Sequence, residues 1–150
     1  MKKLVLGLFL FLSCFSFADW QIMNTLDEFQ DQMDKKCIVS IDYSNIGLCR
    51  IEKTLEEDGE YVVILVTNQY IGSHFTTVKF KIDDLEPISF KGAIIQNNIV
   101  GFKVNKNHTN LFDLLSNGKT LKVSIQKYNG STILQKHSLD GFAKTFAEYY

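Results

Sequence analysis

From Cys37 onward, hydrophobic side chains recur at every second position in short runs, separated by turns bearing glycine, asparagine or aspartate. A period of two places alternate residues on opposite faces of a strand, so each run has one face to bury and one to leave wet. Val78, Phe80 and Ile82 stand against Thr77, Lys79 and Lys81 in this way, and Leu121, Val123 and Ile125 against Lys122, Ser124 and Gln126. Asn129-Gly130 is a strong hairpin turn, returning the chain through 131–139. Strands over 37–41 and 48–54 flank Ser44-Asn45-Ile46-Gly47, and Asp58-Gly59 makes the next turn. Residues 61–66 are apolar on both faces, which predicts a central strand covered on each side. Pro87 opens a strand over 88–96, and Asn97-Asn98, in positive φ, turns it into an antiparallel partner over 99–104.

Three stretches break the strand period. Thr25-Leu26-Asp27-Glu28 reads as a capping box, with a helix over 26–34 whose Leu26, Phe29 and Met33 share one face. Thr109 caps a short helix through Leu111, Phe112, Leu114 and Leu115 that stops at Asn117-Gly118. The last segment, 140–150, carries Phe142 and Phe146 four apart, as on one face of a terminal helix. About eight strands without a βαβ rhythm predict a mainly β fold, an antiparallel β-sandwich or flattened barrel with short N-terminal, internal and C-terminal helices.

The first eighteen residues follow a different logic. Lys2 and Lys3 precede an unbroken apolar stretch from Leu4 to Leu12, and Ser16-Phe17-Ala18 supplies small residues before Asp19. This is the pattern of a secretory signal peptide cleaved after Ala18, which predicts a periplasmic or secreted protein with one domain over 19–150. The apolar run from Leu4 to Phe17 is only about 21 Å long as a helix, short of the roughly 30 Å hydrocarbon core, so no stable span is expected. A lipoprotein reading would use Cys14, but Phe11-Leu12-Ser13 places bulky residues where such signals want a leucine followed by small ones.

Cleavage would remove two lysines and no acid, taking the formal charge from -1 to -3. That balance lacks the basic footprint of a nucleic-acid binder. It would also leave Cys37 and Cys49 as an even pair in an oxidising compartment, for which one structural disulfide, worth about 3 kcal/mol, is expected.

Signatures of catalysis are scarce. His74, His108 and His137 stand singly, outside any metal-ligand spacing, and there is no Gly-x-Ser-x-Gly elbow. A hydrolase would need His74 or His137 to meet a serine and a carboxylate in a deep pocket, because triads assemble in space. Glu56-Glu57-Asp58 and Asp83-Asp84 lie beside turns and read as solvated charge rather than paired catalytic carboxylates or a calcium loop. No phosphate-cradling glycine loop is present, and no cofactor or metal is implied. Candidate recognition residues are Trp20 near the mature start and the acidic Glu56, Glu57 and Asp58; Trp20 is equally suited to pack over the end of the sandwich. Tyr149 and Tyr150, near the other mature end, could join Trp20 in an exposed aromatic patch but read rather as a frayed tail.

Asp19-Trp20-Gln21-Ile22, Cys49-Arg50-Ile51, Val78-Lys79-Phe80-Lys81-Ile82-Asp83-Asp84, Leu114-Leu115-Ser116-Asn117-Gly118-Lys119 and Ser138-Leu139-Asp140-Gly141-Phe142 follow one another in an order that resembles the invasion-associated locus B family of secreted or periplasmic bacterial proteins. Asn24 stands where that family often has a cysteine, and the Asn97-Asn98 hairpin lacks its later cysteines. The resemblance implies a small exported β-sandwich acting at the envelope or in host interaction, with no catalytic site to carry over. The expected function is therefore that of a non-enzymatic binding protein with an envelope or host protein as partner. The alternative is a periplasmic inhibitor or immunity protein, inserting the acidic 56–59 loop into an enzyme cleft.

Overall fold

A computed structural model describes residues 19–25, 35–54, 59–105 and 110–149. The expected signal segment, the 26–34 helix, the Glu56-Glu57-Asp58 cluster, His108 and Thr109 lie outside the described residues. The described chain forms β1 (Gln21–Thr25), β2 (Lys35–Asp42), β3 (Gly47–Lys53), β4 (Glu60–Val66), β5 (Phe75–Ile82), β6 (Ile88–Gln96), β7 (Ile99–Asn105), α1 (Leu111–Asn117), β8 (Thr120–Gln126), β9 (Thr132–Ser138) and α2 (Phe142–Tyr149). The fold is mainly β and antiparallel, as the alternation predicts.

All nine strands belong to one sheet, ordered β1-β2-β3-β4-β7-β6-β5-β8-β9. Twist accumulates over so many strands. The sheet curls until β9 approaches β2, and the two layers of the expected sandwich are halves of one sheet. The closing contacts come from side chains: the Lys136 amide donates to Asp42 Oδ2 at 2.6 Å, and His137 meets Ser40.

Alternation decides the interior. On β5, Val78, Phe80 and Ile82 are buried while Lys79 and Lys81 point away, and β8 buries Leu121, Val123 and Ile125. Phe80, Phe90 and Phe102 form a ring cluster with centroids 4.5 to 5.6 Å apart. Both helices add aromatic side chains to this core. Phe112 and Phe146 stack at 5.0 Å, and both reach Tyr61 of β4.

Two local expectations need correction. β4 is buried on one face through Tyr61, Val63 and Leu65, whereas its other face is only half-covered, so the strand is central without being enclosed on both sides. Neither Asn97 nor Asn98 takes a positive φ; among described non-glycine residues only Ile46 and Asp83 do. The β6–β7 register shifts between Ile94 and Gln96, and this bulge supplies the extra twist that the hairpin needs.

Candidate functional site

Trp20, expected as a recognition residue or as end packing, is 1% exposed and takes the second role. Its indole Nε1 donates to the Ser138 carbonyl at 2.8 Å, its own carbonyl accepts from Thr145 Oγ1 at 3.2 Å, and Phe142 meets its ring edge-on at 5.0 Å. It pins the start of β1 to the end of β9 and to α2, and is removed from the recognition candidates. Tyr149 is likewise no frayed end. Its hydroxyl donates to the Lys36 carbonyl and accepts from the Lys53 amide, both at 2.7 Å.

The expected Cys37–Cys49 disulfide does not form, and both thiols are free and buried. Cys37 pairs with Glu52 across β2 and β3, whereas Cys49 pairs with Ser40. An offset of three residues puts the cysteines on opposite faces and about 10 Å apart along the strand, beyond the reach of a disulfide. Burial pushes the Cys49 thiol up to about 12. Burial also raises Cys37, against the opposing influence of Arg50.

Asp83 is exposed, as the solvated reading expects, and it also has a structural part. Its carboxylate accepts from the amides of Lys119 and Thr120 at 2.9 to 3.2 Å, fastening the β5–β6 connection to the start of β8. Among the described residues no cluster of three or more histidine, cysteine, aspartate or glutamate side chains could hold a metal ion.

His137 does meet a serine and has a carboxylate close by. Nδ1 lies 2.9 Å from Ser40 Oγ, and Nε2 lies 3.1 Å from Gln135 Oε1. Gln135 Nε2 donates to the Val66 carbonyl, so its Oε1 accepts from Nε2–H and the Ser40 hydroxyl donates to Nδ1. Burial holds His137 down at about 4, although Asp42 draws it upward. Burial raises the Asp42 carboxyl, but bonds from the Asn45 side chain and the amides of Lys136, Asn45 and Ser44 outweigh this and leave it below its usual value. Ser40, Gln135 and His137 are each 2% exposed or less, and neither Ser40 nor His137 lines a described pocket. These groups form a polar seam joining β2 to β9. The alternation of β9 contained the signal, because Gln135 and His137 share a face with Ile133.

An open cleft of about 770 Å³ lies at the start of β5. Residues 71–74 cross there, held by the Tyr128 amide donating to the Ile71 carbonyl and the Ile94 amide donating to that of His74, both at 2.8 Å. Phe75 and Tyr128 line the cleft and are 63% and 73% exposed. Tyr70 braces Tyr128 edge-to-face at 5.4 Å, and Lys91 Nζ lies 4.5 Å from the centre of the Phe75 ring. His74 and Lys127 also line the cleft, and among the described residues no carboxylate does. Large exposed aromatic rings beside hydrogen-bonding groups suit a ligand-binding surface. Of these residues, sequence reasoning singled out only His74. The others lie far apart in the chain, and their convergence depends on the β6-β5-β8 neighbourhood.

No family model matches this chain, and neither does any curated protein. Among solved structures, the crystal structure of invasion associated protein B from Bartonella henselae matches with a TM-score of 0.63 at 16% sequence identity. The likeness covers 89% of this chain and 92% of that one. The two chains share a fold. The expected resemblance is thus supported at the level of architecture. No helix among the described residues is long and apolar enough to cross a membrane.

Proposed function

We propose that the chain is an exported, non-enzymatic binding protein of the bacterial envelope that engages its partner through the cleft around Phe75 and Tyr128. The single observation carrying this reading is the cleft itself, in which exposed aromatic rings and basic side chains converge. The shared fold with invasion associated protein B supports an envelope setting, as does the signal-like segment at 1–18. The sealed seam around His137 favours binding over hydrolysis, since a substrate needs access to the base and the nucleophile.

A photoreactive residue placed at Tyr128 in the full chain, with Lys144 on α2 as the control position, tests the reading in living cells. Position 128 is expected to capture a discrete envelope species that position 144 does not. Identical labelling at both positions, or none at 128, would overturn it. Capture of an envelope enzyme whose activity falls on binding would replace it with the inhibitor reading.

A further inference from the structure

Resting on that reading of the cleft, the geometry points to a ligand class: we infer that the site takes an acidic saccharide chain. Three features favour this class. Phe75 and Tyr128 offer exposed ring faces, on which the C–H face of a sugar can stack. Thr77, Ser89 and Gln126 supply short polar groups along the same cleft, suited to ring hydroxyls. Finally, Lys91 and Lys127 line the cleft and among the described residues no carboxylate does, in a chain whose formal charge is -1. The local excess of positive charge against an acidic background selects an anion.

An acidic peptide would satisfy the charge, but peptides commonly gain affinity by adding a strand to a free sheet edge. β5 lies between β6 and β8 in the sheet order, but its pairing with β8 begins at Val78 and that of β6 with β7 at Ala93, so backbone edge adjoins the cleft only over 75–77 and 88–92. The edges open along their whole length belong to β1 and β9. Phe75, Thr77, Ser89 and Lys91 share the outward face of the β5–β6 pair, so a ligand stacked on the Phe75 side of the cleft meets side chains of a sheet face rather than a backbone edge, which suits a saccharide.

Isothermal titration calorimetry of the purified chain against three probes tests the inference. These are a hexasaccharide of a 1,4-linked uronic acid, its carboxyl-reduced neutral counterpart, and an acidic hexapeptide of equal charge. The uronic hexasaccharide is expected to bind at least about tenfold more tightly than either other probe, and more weakly as salt rises. Tyr128→Ala and Phe75→Ala are each expected to weaken it about tenfold, the size of a lost stacking contact. Lys91→Gln should flatten the salt dependence, and unchanged far-UV circular dichroism checks that each variant is folded. Equal or tighter binding of the peptide or of the neutral sugar, or no binding of the uronic probe, overturns the saccharide assignment. In those cases cross-linking at position 128 still decides independently whether the cleft binds an envelope partner.

Discussion

His137 ties the protein's stability to pH. Its imidazole is held neutral by burial, at about 4 in the fold against about 6.5 when unfolded. Between those values the unfolded chain binds a proton that the native chain refuses, so the stability from this group is full above 6.5 and lost as pH falls towards 4. The loss is expected to reach about 3 kcal/mol, and urea titrations at stepped pH should show it. His137→Gln should remove most of that slope. Asp42 acts lower on the scale: its depressed carboxyl stabilises the fold above its ordinary value, and that contribution disappears in stronger acid as it protonates. Trp20 makes a larger, pH-independent contribution. Trp20→Ala should cost about 3–5 kcal/mol in the same titrations, through the cavity and the unpaired Ser138 carbonyl. For the cysteines, the chain unfolded without reductant should yield free thiols at 37 and 49, whereas the native chain should hide Cys49 from thiol reagents.

α2 is held at both ends. Phe142 is buried against Trp20 at its start, and Tyr149 clasps the ends of β2 and β3 through two backbone groups at its finish. Tyr149→Phe keeps the ring and deletes both bonds, so it should cost about 1–2 kcal/mol and speed amide hydrogen exchange at Lys53. α1 has no side-chain cap from Asn110, and its placement depends on the glycine at its C-terminal end. A Cβ on Gly118 would stand 2.5 Å from Ile82 Cγ2 and 2.9 Å from Leu139 Cδ1, closer than packed atoms allow. Gly118→Ala should therefore lower stability by about 1–3 kcal/mol in thermal melts, even though its backbone angle suits alanine. The β2–β3 turn uses a different device. Ile46 occupies positive φ, a costly position for a β-branched residue, and the Asp42 carboxylate binds the Ser44 and Asn45 amides just before it.

One curled sheet carries every described strand, so among the described residues there is no second sheet to separate first. Far-UV circular dichroism and Trp20 fluorescence are expected to give coincident urea transitions, as in a two-state domain; an earlier Trp20 transition would show that the β2–β9 seam opens alone. Strands, hairpin turns at Asn129-Gly130 and the two described helices follow from local rules of period, capping and turn chemistry, and those rules were legible in the amino-acid order itself. So was the alternation that aims Gln135 and His137 inward with Ile133, although not the partners they would find. Register and curl settled the rest. A three-residue offset separated Cys37 from Cys49, closure of the sheet buried Trp20 and brought His137 to Ser40, and strand order gathered Phe75, Lys91 and Tyr128 around one cleft. Local patterns determine which face a side chain takes, because neighbouring residues set the backbone period. Which distant faces meet depends on pairing between strands, and that is decided only when the whole sheet closes.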